Sequence, residues 1–507
     1  MLNLKTVLSG VSLSVMILSG GFARAETLEE ALAYTYVANP DVLAKRAYLR
    51  SVYEKIAQSR SGYKPTIAGE AAYGYSYDRA RYRPSFTESE DDPYNVGIRA
   101  VQPLFSGFET SSSVKVAEAG FAAEQANLKA TEQNVLLDAV SAYTNVIRDL
   151  AVVKLNQNNE AVLKRHLEYT RDRFRVGELT KTDVAQSEAR LAGASASRIE
   201  AEGALKISYA TYRQVIGKMP EKIYEPAVPE SKLPQTLAEA LEIAEKRNPQ
   251  LKAAEMAAKS ALSSIDVAKS GHYPTLNLQG TFFHNKAKTL IDGAFWNGRV
   301  DASDVQLVMN IPLYTAGNVS SKVRESKHLA GQARINVDAA RRSVAQAATR
   351  AWESYQSSVA SLKSLEERVR ASELALDGVK KEEQAGTRTV LDVLDSEQEL
   401  LDARVSVVTA KRNQVVAAYQ LLASMGIMSP SGLGLDLSRY QRGAKKTVKK
   451  VNKDETAAQN AENAGVSGKS GNDAANAANG TDARTAEPDN GAEDTSGTVA
   501  AERIKTL

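Results

Sequence analysis

The 507-residue chain has no cysteine. That absence excludes disulfides, thiolate metal sites, cysteine nucleophiles and a lipid on a terminal cysteine. Long apolar runs are also scarce. The one at the start, VLSGVSLSVMIL over 7–18, has about 12 residues, too few for the ~18 to 20 that cross a hydrocarbon core. Preceded by Lys5 and followed by Ala23-Arg24-Ala25, it reads as a signal peptide over 1–25, with the mature chain starting at Glu26. No later stretch is long enough to be a membrane helix, so any membrane contact must use strands or a surface helix. The four histidines, His166, His272, His284 and His328, are scattered without ligand spacing, and no nucleophile motif or phosphate-binding loop is present. The sequence therefore predicts no enzyme, no cofactor, no resident metal and no nucleic-acid partner. Proline is sparse and unevenly spread: 14 in total, none from Leu104 to Met219 and none from Leu313 to Ser429.

With 43% hydrophobic residues, 25% charged and a net charge of +3, the chain can bury a core in one or two domains. Compared with itself, it repeats. TLEEALAYTYVANPDVLAKRAYLRSVYEKIAQSRSGYKPT (27–66) aligns without gaps on TLAEALEIAEKRNPQLKAAEMAAKSALSSIDVAKSGHYPT (236–275), an offset of 209. The same offset sets Pro103-Leu104-Phe105 on Pro312-Leu313-Tyr314, Gly177 on Gly386, Asp183-Val184 on Asp392-Val393 and Gly217 on Gly426. A unit at this length is half of one architecture rather than a solenoid repeat. The reading is 26–235 for the first unit and 236–430 for the second.

Within each unit the proline-free run predicts helix, since proline costs roughly 3 kcal/mol inside one. Each run is broken once, at Gly177 or Gly386, which predicts helical hairpins over about 107–217 and 317–426. At ~1.5 Å per residue the outgoing helix reaches roughly 100 Å, and its alanine-rich faces suit lateral packing against other helices. Ahead of each hairpin, period-two alternation predicts strands at about 66–78, 94–104, 275–285 and 303–313. Tyr73, Tyr75 and Tyr77 share a face, Tyr94, Val96, Ile98 and Ala100 another, and Val305, Leu307, Met309 and Ile311 alternate with Gln306 and Asn310. One apolar and one polar face, with tyrosines and Trp296 near the ends, matches a membrane barrel wall with aromatic girdles. The segments 79–93 and 286–299 read as polar external loops. Four strands cannot close a barrel and open edges are forbidden in lipid, so the chain must oligomerise; barrels start at about eight strands, and two copies give 8 strands while three give 12. From 442 to 507, after the basic AKKTVKKVNK, the composition lacks the apolar residues to order itself and reads as a disordered tail.

With the signal peptide, the duplicated unit, the paired Asn-Pro and YxPT-like segments, QPLFSG and NIPLYTAG, and the turns VGELTKTDV and AGTRTVLDVLD, the chain resembles the TolC-like outer-membrane efflux family over about residues 26–430. The resemblance implies a mainly α fold with membrane β: a homotrimer whose 12-stranded outer-membrane barrel continues into a long periplasmic α-helical barrel. It implies an exit duct of a tripartite efflux pump or type I secretion system, joined to a periplasmic adaptor (membrane fusion protein) and an inner-membrane transporter of RND or ABC type, and set in outer-membrane lipid. The competing reading, a trimeric coiled-coil surface adhesin or structural envelope protein, accounts for the helices but not for the amphipathic strand pairs.

Asp392 and Asp395 stand three apart at the start of the second return helix, so they face the same way. The resemblance places these positions inside the periplasmic tip, where three chains would stack two carboxylate rings that attract cations and allow divalent block. Aspartates there also cap a helix, and Asp183 and Asp392 occupy equivalent capping positions. By the same resemblance Arg388 constrains the neighbouring hairpin, with Thr182 and Asp183 as its acceptors. Many relatives carry a tyrosine where this chain has Glu383, an acid that would repel Asp183 unless Arg388 or a proton bridges them. The tips Val176, Gly177, Glu178 and Leu179, and Ala385, Gly386 and Thr387, are the expected adaptor contacts.

Overall fold

A computed structural model describes residues 26–438, apart from 83, 84, 92, 221, 292 and 293. The expected leader, 1–25, and the expected tail, 442–507, lie outside the described residues, as does the side chain of Trp296. In chain order the first unit comprises α1 (Leu28–Ala38), α2 (Pro40–Ser61), β1 (Thr66–Tyr73), β2 (Ser76–Tyr82), β3 (Ser85–Asp91), β4 (Tyr94–Ser106), α3 (Glu109–Arg175) and α4 (Lys181–Ile216). The second comprises α5 (Leu237–Arg247), α6 (Pro249–Ser270), β5 (Thr275–Ile291), β6 (Ala294–Asn310), α7 (Asn318–Gln384) and α8 (Val390–Ser424), followed by the short α9 (Pro430–Leu433). Every helix of the second unit begins 209 residues after its counterpart.

The duplicated Asn-Pro has a physical reason. The Asn39 side chain caps α2 by accepting from the Asp41 amide at 2.9 Å, and its Nδ2 donates to the Val215 carbonyl at 3.0 Å. Asn248 does the same at α6, accepting from Gln250 N at 2.9 Å and donating to Ser424 O at 2.9 Å. In both units the proline that follows takes the first helical position, where a missing N–H is harmless. One asparagine thus starts the short helix and ties it to the end of the long return helix.

The sheet is antiparallel, and β4 joins β5 to link the two units. β1 pairs with β4 from Thr66↔Val101 to Tyr73↔Tyr94, and β5 pairs with β6 from Thr275↔Asn310 to Ile291↔Ala294. The expected loops at 79–93 and 286–299 are instead drawn out as paired strands: β2 and β3 form a hairpin beyond a break at Gly74 and Tyr75, and β5 and β6 run to within two residues of each other. Alternation of side chains reports which face is apolar, whereas backbone pairing needs no apolar face, so polar residues prolong the ladder unseen. The break also leaves Tyr75 outside both neighbouring strands. Ile98, Phe282, Val305, Leu307 and Met309 form an exposed apolar face, each more than half exposed. On the other face Arg99 reaches Glu70 at 3.5 Å. No helix among the described residues is long and apolar enough to cross a membrane.

The helices bury their cores locally. The largest cluster joins Leu28 and Leu32 of α1, Leu136, Val140 and Tyr143 of α3, Tyr212 and Ile216 of α4, and Leu421 and Leu422 of α8, all 1% exposed or less. Each such side chain contributes roughly 1.5–3 kcal/mol of burial. α3 and α7 have the same 67-residue length, yet 22 residues of α3 are buried against 7 of α7. α3 is covered because it packs on α6 and α8 of the other unit, while α7 keeps one flank open.

Candidate functional site

The two hairpin ends are built identically. After α3 the chain turns on Gly177 (φ +84), whose N–H donates to Phe174 O at 3.1 Å while Glu178 N–H donates to Arg173 O at 3.0 Å. After α7 it turns on Gly386 (φ +79), with Gly386 N–H to Glu383 O and Thr387 N–H to Glu382 O, both 2.9 Å. The left-handed glycine lets paired amides satisfy the carbonyls at the helix end. The return helix then starts with a capping box. Thr180 N–H and its hydroxyl donate to Asp183 Oδ2, each at 2.8 Å, and Asp183 N–H donates back to Thr180 Oγ1 at 3.3 Å. Thr389 and Asp392 repeat this at 2.9, 2.8 and 3.2 Å.

Asp183 and Asp392 are therefore helix caps in the structure. The Thr389 amide and hydroxyl hold the Asp392 carboxyl below the usual carboxylate range. Arg388 turns inward to its own loop: its Nε donates to Glu382 at 2.9 Å, and Nη1 lies 4.0 Å from Asp392. Within one chain it meets neither Thr182 nor Asp183. Asp395 is ion-paired across the hairpins to Arg190 of α4. Val176, Glu178 and Leu179 of one turn and Ala385 and Thr387 of the other flank their glycines at the far ends of the hairpins, with Val176 72% exposed.

Glu383 has a partner that the sequence did not reveal. It is 8% exposed and accepts from Arg173 Nη1 at 2.7 Å. Arg173 also donates to Glu178 at 2.9 Å and lies over the Tyr169 ring at 5.4 Å. This guanidinium thus clamps its own turn and the second hairpin together. Nearby His166 stacks on Tyr169, with ring centroids 6.3 Å apart, and its Nε2 is buried without a partner. A cavity of about 370 Å³ adjoins the ring, lined also by Lys380 and Glu383 of α7 and Glu397 of α8. Burial pushes the imidazole below its ordinary value despite Glu383 and Glu397, which pull it up. Leu163, Leu179, Leu191, Val390 and Leu394 close the apolar side of the joint.

Two pairs, Arg173–Glu383 and Arg190–Asp395, therefore tie hairpin to hairpin inside one chain. At the common offset Arg173 aligns on Glu382 and Arg190 on Glu399, so the cations of the two ties are not repeated in the second unit. A cation in one repeat against an anion in the other marks positions where the two copies do different work.

The outer membrane efflux protein model matches residues 33–218 and 240–427, one match per unit. The outer membrane efflux protein BepC of Brucella suis biovar 1 (strain 1330) is 35% identical over 435 residues, 86% of this chain and 93% of that protein. The outer membrane protein TolC of Vibrio cholerae serotype O1 (strain ATCC 39315 / El Tor Inaba N16961) is 29% identical over 83% of this chain and 95% of its own. Among solved structures, that of the outer membrane protein VceC from Vibrio cholerae shares the fold with a TM-score of 0.65 at 18% identity, covering 79% of this chain and 96% of that one. The match extends across both repeats and nearly the whole of each relative, so the chain belongs to the outer membrane efflux protein family.

Proposed function

We propose that three copies of this chain close a single water-filled duct, the outer-membrane exit channel of a tripartite efflux pump or type I secretion system, gated at the hairpin tips. The protein resides in the outer membrane, and its relatives there are efflux and secretion channels rather than enzymes. The alkaline protease secretion protein AprF of Pseudomonas aeruginosa is one of these relatives.

The observation that carries the proposal is the joint between the two units. β4 of the first pairs with β5 of the second, and α3 of the first packs on α6 and α8 of the second. The second unit presents the same surfaces, yet among the described residues of one chain β1 and β6 each have one unpaired edge and α7 is largely uncovered. Repeating the joint sets β6 against β1 of the next copy and α7 against its α2 and α4. An edge open to lipid leaves every backbone group on it unsatisfied, so repetition must continue until the ring closes. Ala100↔Gly280 in the existing joint becomes, at the 209-residue offset, Met309↔Ala71 of the next copy.

In the ring Arg388 and the caps Asp183 and Asp392 crowd around the aperture. Asp392 and Asp395 supply the acidic lining and the point of divalent block, and the turns around Gly177 and Gly386 meet a periplasmic adaptor that links to the inner-membrane transporter. The pairs within a chain, Arg173–Glu383 and Arg190–Asp395, hold each protomer's hairpins together. The neighbouring joint lacks them, because the corresponding positions are Glu382 against Phe174 and Glu399 against Gln186. Arg388 is placed to supply the missing tie there. Purified protein in planar bilayers tests this reading: trimers that conduct cations and are blocked by divalent ions support it, and a monomer that passes no current overturns it.

A further inference from the structure

We infer that the amino terminus made by removal of the leader is a structural ligand of the mature protein, its ammonium seated in a buried site between the start of α1, the middle of α3 and the end of α4. Glu26 stands at that point and is 6% exposed. Its backbone nitrogen donates to the Lys222 carbonyl at 2.6 Å, and its carbonyl oxygen lies 2.9 Å from the Tyr143 hydroxyl. The same hydroxyl lies 2.9 Å from Tyr224 O and accepts from Tyr224 N at 3.2 Å. Tyr143 and Tyr212 are both fully buried, with ring centroids 6.3 Å apart.

Two buried polar atoms of this site lack a well-aligned hydrogen bond, the Tyr212 hydroxyl and Glu26 Oε1; the Glu26 carboxylate is the group that the hydroxyl approaches. Lys218 Nζ approaches Oε1 to 2.9 Å, a charge contact without hydrogen-bond alignment, and the same lysine is drawn over the Tyr34 ring at 5.1 Å. The negative charges of Glu26, Glu29 and Glu30 all bear on the Tyr143 phenol, and Glu26 bears on that of Tyr212. The site thus buries a carboxylate and a hydroxyl that lack well-aligned hydrogen bonds among the described residues. A buried polar atom left unmade is costly, and a native structure holds it for a reason.

Ala23-Arg24-Ala25 places the leader cleavage at this residue. Hydrolysis of the Ala25–Glu26 bond consumes one water: the leader departs with a carboxylate on Ala25, and the Glu26 nitrogen takes up a proton to become an ammonium. One neutral N–H becomes three charged donors. One keeps the Lys222 carbonyl, which leaves two for the Tyr212 hydroxyl and the Glu26 carboxylate. An unprocessed chain has a single donor here and no charge. The inference needs the cleavage site but not the gating scheme, so either stands without the other.

The test starts from protein extracted from outer membranes, whose intact mass must place the first residue at Glu26. An acylating reagent at pH 7, selective for α-amines because lysines are protonated, is then applied to folded and to urea-unfolded protein. The α-amine should react at least tenfold more slowly in the folded protein; equal rates overturn the inference, as does a first residue elsewhere. A second arm carries Tyr212→Phe into the normal chain and into one with two alanines inserted between Ala25 and Glu26. Removing an unpartnered buried hydroxyl is neutral or stabilising, so a lowered melting temperature confined to the normal chain marks the ammonium as its partner. Equal effects in the two backgrounds contradict it, and if the insertion prevents folding the reactivity arm decides alone.

Discussion

Replacing Arg173 by alanine leaves the Glu383 carboxylate, 8% exposed, without the only ion pair it makes among the described residues. Breaking a buried pair from one side costs about 3–5 kcal/mol, because the remaining charge stays desolvated. The Arg173 side chain is 27% exposed and the pair lies near the end of the hairpins, so water recovers part of this and about 2 kcal/mol remains. At 1.4 kcal/mol per decade that shifts the balance between docked and separated hairpins by about thirtyfold in each chain. In single-channel recordings Arg173→Ala should raise conductance or open probability. Glu383→Gln should do so less, since it removes the buried charge instead of stranding it, and the double variant should fall nearer to Glu383→Gln than to Arg173→Ala. Identical conductance and open probability in wild type and all three variants would refute the assignment of this pair as a tie.

Three further outcomes follow from the same geometry. Burial lowers the His166 imidazole, so its packing is fully favourable above the ordinary value of about 6.5 and is lost as pH falls from there through the lowered folded value. Arg165, Tyr169 and Arg173 of α3, Lys380 and Glu383 of α7 and Glu397 of α8 surround it; acidification should therefore open the tips, and His166→Leu should flatten the pH dependence of conductance below 6.5. Asn248→Ala removes both a cap and the bond to Ser424, so denaturant unfolding should report a loss of about 2 kcal/mol, whereas Asn248→Asp, which keeps the cap alone, should lose about half of that. Gly426→Ala is the sharper of two matched substitutions: at φ +75 its Cβ would stand 2.5 Å from the Arg247 carbonyl, while Gly217 at φ +96 has nothing nearer than Tyr34 at 3.5 Å. The first should cut the yield of folded protein, and the second should cost only about 1 kcal/mol of backbone strain.

The helical framework was legible because its determinants are local. A proline-free run, a Thr-x-x-Asp box and a glycine turn each act within one helical turn, and they act twice. The strand extensions were not legible, since residues 79–93 and 286–299 pair through the backbone while their side chains follow no apolar alternation. The ties at Arg173 and Arg190 depend on how the hairpins are rotated against each other, which no spacing within one helix reports. Glu383 stood out in the sequence as an acid where many relatives carry a tyrosine, set to repel Asp183. Only its position opposite Arg173 shows how that charge is accommodated inside the chain.

Cysteines at Ala71 and Met309 measure the ring directly. If the joint repeats around the channel, mild oxidation of this double variant should link chains into dimers and closed trimers, while moving one partner by two residues, to Tyr73, should sharply reduce the yield. Crosslinking as efficient at the shifted pair, or products no larger than a monomer, would contradict the closed three-chain duct.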